Sequence, residues 1–284
     1  MLKTLAISVT CLWFAAATYV YLWQGRLVFH PSRALASDPG ERGYVFDDVT
    51  LTTADGVAIH GWHVTQPGAS ATVLFFHGNA GNIADRPLTL ARLHDQGFDV
   101  FMLDYRGYGR SEGSPDELGT YADANAAWRY LTNTAGRRPA DIVIYGRSLG
   151  GAVALELASR VAPRAVIVES TFSSLAAMAR EHYPYLPTSV LLRYKYPSSD
   201  YIGRITAPVL VAHSEGDALI PYAQGRRLFE LAPEPKTFYA LRGGHNDAFV
   251  RAGQPYYEAL GAFIREAARI DRRGQLNQNA AEGS

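Results

Sequence analysis

Residues Ile142–Gly151 read IVIYGRSLGG. A run of β-branched and aromatic residues stops at Gly146, and a lone serine, Ser148, stands between Gly146 and Gly150. The segment DIVIYG before it predicts a buried strand. LGGAVALELASRV after it predicts a helix rich in small residues. Gly-x-Ser-x-Gly at such a junction fits a sharp turn that lifts the serine hydroxyl above the sheet edge. The helix that follows points its N-terminus at the same spot, which favours developing negative charge. A glycine-rich packing turn with an incidental serine is the competing reading. The strand before and the small-residue helix after favour a reactive serine.

A nucleophilic serine needs a base, and the base needs an orienting acid. Acid and then histidine are expected C-terminal to such a turn. Of eight histidines, only His182, His213 and His245 follow Ser148. His245 lies in RGGHND, a glycine-bearing loop after the last expected strand, where an imidazole can swing over the sheet edge. His213 falls within or at the end of a strand. Asp217, in HSEGDALIP, follows the next-to-last strand and is the expected acid. Glu215 and Glu169 are its rivals, and Asp247 stands too close in sequence to His245 to orient it. Two amide donors for a tetrahedral oxyanion are expected from Leu149 and from Asn79, in the loop HGNAGN. His77 is expected to pack beneath that loop.

Strand-like and helix-like segments alternate around this core. YVFDDVTLTTADGVAIHGWHV reads as a hairpin turning at Ala54-Asp55-Gly56. ATVLFFHG and FDVFMLDY read as buried strands, and IADRPLTLARLHDQG as a helix stopped by Gly97. SPDELGTYADANAAWRYLTN is an amphipathic helix for which Ser114 and Pro115 suit the start. RAVIVES, APVLVAHSEGD and KTFYAL complete the strands. YAQGRRLFELA and PYYEALGAFIREAARI complete the helices. Such alternation predicts an α/β fold with a mostly parallel central sheet and helices on both faces. The stretch 173–206, rich in tyrosine and proline, breaks the alternation and is expected to be a small cap insertion.

The 284 residues are 48% hydrophobic and 19% charged, enough for one large domain. Lys+Arg and Asp+Glu balance at 27 each, so the basic footprint of a nucleic-acid binder is missing. Cys11 is the only cysteine, which excludes an internal disulfide and a cysteine-based metal site. No ligand cluster or nucleotide fingerprint appears, so neither a metal nor an organic cofactor is expected.

From Thr4 to Gln24 there is no charged residue. About 20 apolar residues suffice for a membrane span, and Tyr19, Tyr21 and Trp23 gather at the end suited to the headgroup interface. A cleaved signal peptide ending near FAAAT is the alternative. The apolar run continues through Val20 and Leu22, which favours an uncleaved, single-pass anchor. Lys3 and the free amine balance Arg26 and Arg33, so charge favours neither orientation. The expected organisation is an anchor over 1–25, a linker over 26–43, a domain over 44–270 and a disordered tail over 271–284.

HGNAGN, DYRGYGRSEG, GRSLGG, GD.LIP and GGHND, in this order, resemble the α/β-hydrolase superfamily. More narrowly, the chain looks like its membrane-anchored serine hydrolases, relatives of prolyl-oligopeptidase-type and dienelactone-hydrolase-type enzymes. The resemblance covers about Phe46 to Ile270. It implies an α/β-hydrolase fold with Ser148 as nucleophile, Asp217 as acid and His245 as base, and structural roles for Tyr105 and Arg106. The expected function is a serine hydrolase of carboxylic esters or thioesters, carboxylesterase-, thioesterase- or lysophospholipase-like, working through an acyl-enzyme. Expected substrates are small-molecule or lipid esters or an acylated protein near a membrane, with Tyr183, Tyr185, Leu186 and Tyr194 of the cap receiving an apolar acyl group. A peptidase acting on short peptides and a non-catalytic binding protein are the alternatives.

Overall fold

The computed structural model describes residues 1–282, side chains excepted at Ser189 and 271–282. Eight strands form one sheet. They are β1 (Phe46–Thr52), β2 (Ala58–Val64), β3 (Thr72–Phe76), β4 (Asp99–Leu103), β5 (Ile142–Arg147), β6 (Ala165–Glu169), β7 (Val209–Ser214) and β8 (Lys236–Leu241). Their order is β1-β2-β4-β3-β5-β6-β7-β8. The β1–β2 hairpin and the β2–β4 pair are antiparallel, and every other neighbour pair is parallel.

The central strands read as unbroken apolar runs because helices cover both their faces. Side chains alternate along a strand, so Leu74 and Phe76 of β3 enter one core and Val73 and Phe75 the other. The first core is closed by α3 (Glu117–Arg129), α4 (Leu149–Ala158) and α8 (Tyr222–Leu231), through Trp128, Val153 and Leu228. The second is closed by α2 (Pro87–Asp95) and α9 (Ala248–Glu282), through Leu93, Leu260 and Ile264. α3 starts two residues later than the sequence suggests. Asp116, not Ser114, is its N-cap, its carboxylate accepting from the Gly119 amide. The tail expected over 271–284 falls outside the described residues, apart from the backbone of α9, which runs to Glu282.

Between β6 and β7 the chain forms the cap: α5 (Leu175–His182), α6 (Thr188–Leu191) and α7 (Ser198–Ile202). The N-terminal helix α1 (Leu2–Val28) is long and apolar enough to cross a membrane. It runs three residues past the expected anchor boundary, and the expected linker is not a free tether. His30–Pro31 pairs in parallel with Ala80–Gly81. Ser32 accepts from the Gly109 amide and from Asn82 Nδ2, and Phe29 is buried in the first core. A strap of backbone hydrogen bonds therefore fixes the end of α1 to the loops above β3 and β4, a long-range pairing that a polar-looking stretch does not reveal.

Candidate active site

Ser148 sits between β5 and α4 with φ 54° and ψ −124°, a conformation costly for a residue with a Cβ. The turn is held from both sides. Its amide donates to the Glu169 carbonyl (2.9 Å), and its carbonyl accepts from Thr171 Oγ1 (2.8 Å). The flanking glycines answer a close approach. A Cβ on Gly146 would collide with the Gly150 carbonyl, and one on Gly150 would collide with the Phe76 carbonyl.

His245 Nε2 lies 3.0 Å from Ser148 Oγ, and His245 Nδ1 lies 2.7 Å from Asp217 Oδ2. The second oxygen, Asp217 Oδ1, accepts from the Leu219 and Ile220 amides at 3.0 and 2.8 Å. Burial pushes the Asp217 carboxyl up. The His245 and Ile220 hydrogen bonds and the nearby imidazoles more than offset this, and the group ends below the ordinary carboxylate range. An ionised Asp217 can only accept, so the proton sits on His245 Nδ1 and leaves Nε2 free to take one from Ser148 Oγ. The structure thus brings together all three residues singled out in sequence.

The rivals have other work. Glu169 is buried, accepts from the Tyr145 and Tyr256 hydroxyls and pairs with Arg147 at 3.1 Å. Glu215 is exposed. Asp247 accepts from the Gly244 amide and pairs with Arg251, bracing the loop that carries His245. Arg106 is held by Asp123 and Asp55, and the Tyr105 hydroxyl donates to the His77 carbonyl. His77 is fully buried, with Nδ1 donating to the Gly78 carbonyl (2.7 Å) beneath the loop.

Burial lowers two further imidazoles, His213 and His63, below the ordinary histidine value of 6.5. His213 lies next to the site, its Nε2 donating to the Ile220 carbonyl (2.8 Å). Both groups stay neutral in the folded chain while the unfolded chain binds protons below about pH 6.5, so stability rises with pH through that window. Their contribution is complete above 6.5 and is lost as pH falls. Thermal scans are expected to give a flat Tm above that value and a falling Tm toward about pH 5.

A cavity of about 600 Å³ opens over Ser148. Leu149 and Asn79 line its floor beside the serine. The Leu149 amide stands at the first turn of α4, where no helical acceptor exists. The Asn79 amide shares its peptide with the Gly78 carbonyl, which accepts from His77 Nδ1 (2.7 Å), and the next peptide is held by the Asn79 carbonyl, which accepts from the His30 amide (2.9 Å) and the Tyr108 hydroxyl (2.7 Å). Of the cap residues expected to receive substrate, Tyr183 and Leu186 line the cavity. Tyr185 and Tyr194 do not. Tyr185 points outward and is largely exposed, while Tyr194 packs edge-on against Phe29. The sequence reading missed the wall that α1 itself supplies, through Val20, Gln24 and Leu27. The signal available was Gln24, a polar residue at the end of an apolar run.

Comparisons with known proteins agree with this architecture. A family model described as serine aminopeptidase, S33, matches residues 67–195. The α/β-hydrolase domain-containing protein WAV2 of Arabidopsis thaliana is 31% identical over 287 residues, spanning 91% of this chain and 93% of its own. The membrane protein YNL320W of Saccharomyces cerevisiae is 33% identical over 259 residues, spanning 87% of this chain and 90% of its own. Among solved structures, the Pyrococcus furiosus esterase Pf2001 superposes with a TM-score of 0.70 at 21% identity, covering 84% of this chain and 98% of that one. The chain belongs to the α/β-hydrolase superfamily, and the class of activity that membership assigns is hydrolysis.

Proposed function

We propose that this chain is a membrane-anchored serine esterase or thioesterase that cleaves an apolar acyl group from its carrier. The observation that carries the reading is the Ser148–His245–Asp217 contact at the floor of an apolar cavity. Ser148 Oγ attacks the acyl carbonyl carbon while its proton passes to His245 Nε2. The Leu149 and Asn79 amides hold the resulting oxyanion. Collapse breaks the bond to the alcohol or thiol, which leaves with the proton from His245. Water then attacks the acyl-enzyme, gives a proton to His245, and the acid departs as that proton returns to Ser148.

The peptidase reading rests on the family model's description. A free peptide amine calls for a carboxylate in the pocket, and among the described residues no acidic one lines the cavity. A fluorophosphonate probe tests the proposal. Labelling of the full chain, abolished in Ser148→Ala, is the expected outcome, with hydrolysis of an acyl p-nitrophenyl ester and none of an aminoacyl anilide. Absence of labelling in the folded protein returns the chain to the binding-protein class.

A further inference from the structure

α1 is more than a tether. Val20, Gln24, Leu27 and Val28 fall on one helical stripe and face the cavity over Ser148. Gln24 is fully buried and bolts α1 to the cap: its Nε2 donates to the Leu191 carbonyl (2.9 Å), and its Oε1 accepts from the Arg193 amide (2.7 Å). Further out, Trp13 Nε1 donates to the Tyr185 carbonyl (3.2 Å). At the other end, Asn79 Nδ2 donates to the Val28 carbonyl (2.9 Å), and the His30 amide donates to the Asn79 carbonyl (2.9 Å). The last half of the helix thus joins the cap to the loop that carries the Asn79 amide.

These contacts also fix how deep the domain sits. From Trp13 to a kink at Trp23 the helix rises about 15 Å beside the cap, and Leu2–Leu12 adds only about 16 Å. A hydrocarbon core is about 30 Å thick. The free part of α1 spans roughly half of it. The cap rim beside Trp13 exposes Tyr183, Tyr185 and Val190, the side chains expected of a surface that meets lipid.

We infer that α1 and the cap together form an acyl-binding channel that opens into the bilayer, with Val20 and Leu27 setting the length of chain accepted. The occupant is the acyl chain of an ester dissolved in the membrane, which enters sideways between α1 and the cap rim. The inference rests on the esterase reading above. It adds that the anchor helix is part of the substrate site.

The test uses the full chain in phosphatidylcholine vesicles, with p-nitrophenyl esters of rising chain length and fluorophosphonate labelling in parallel. Val20→Trp and Leu27→Trp fill the channel and are expected to lower the long-to-short ratio of kcat/KM by at least about tenfold. Val20→Ala and Leu27→Ala widen it and are expected to move the optimum to longer chains. Misfolding lowers every substrate and the labelling together, so it cannot produce opposite shifts. A chain-length profile that is the same in all four variants and the parent overturns the channel while labelling of Ser148 keeps the esterase reading. An S-acylated peptide in solution serves as a second arm. Turnover of that peptide matching the vesicle ester, with the profile unmoved by the α1 variants, places the substrate outside the bilayer and equally overturns it.

Discussion

Asp217→Asn is expected to lower kcat by roughly 10⁴ while leaving the fold and substrate binding in place. The reason lies in the two amides on Asp217 Oδ1. Leu219 and Ile220 donate to that oxygen, so an asparagine keeps its carbonyl there and turns its NH2 toward His245. A donor facing Nδ1 drives the ring proton to Nε2. Nε2 then donates to Ser148 Oγ instead of accepting from it, and the hydroxyl has no base. A neighbouring imidazole does not rescue the function. His213 Nε2 is committed to the Ile220 carbonyl and lies 3.7 Å from Asp217 Oδ2. The measurement is turnover of a short acyl ester beside the rate of fluorophosphonate labelling, with Tm as the control for folding. A variant within tenfold of the parent on both rates removes Asp217 from the proposed role.

The sheet and the three converging residues were legible because their signals are local and repeated. Each central strand is a short apolar run, and in a parallel sheet the loops after such strands gather along one rim. Ser148, Asp217 and His245 each follow a strand in this way. Glu169 ends one, which made it a rival. What separates it is direction: it pairs across the β5–β6 register with Arg147 and turns into the body of the protein. That is a cross-strand fact, visible only once the strands are aligned. The role of α1 was hidden for a different reason. A helix apolar on every side carries no face to read, and the bonds of Gln24 reach residues more than 160 positions away. Tyr194 and Tyr185 illustrate the limit of composition. Both suit an apolar pocket, but one packs on Phe29 and the other faces outward.

Glu169→Leu is expected to destabilise the domain by about 3–5 kcal/mol. The carboxylate is buried among three donors: the Tyr145 hydroxyl, the Tyr256 hydroxyl at 2.9 Å, and Arg147 Nε at 3.1 Å. Arg147 is itself almost enclosed, its guanidinium 3.5 Å above the Phe249 ring. Leucine leaves that cation without its counter-charge and both hydroxyls without their acceptor. Neither hydroxyl can relieve the loss by ionising, because burial, the largest cause and one that persists without Glu169, holds Tyr145 and Tyr256 well above the ordinary tyrosine range. Removing one partner of such a pair costs more than the pair contributes, since the remaining charge stays desolvated. Arg147→Met combined with Glu169→Leu is therefore expected to recover a good part of the stability lost by Glu169→Leu alone. For a domain of this size the single variant corresponds to a fall in Tm on the order of 10 °C, read by thermal scans in detergent. Below that temperature its activity is expected to fall far less than that of Asp217→Asn. The Ser148 amide bonds to the Glu169 backbone carbonyl, which the substitution keeps. An activity loss as deep as that of Asp217→Asn in protein still folded would assign Glu169 a direct part in orienting His245, a part its position beneath Arg147 argues against.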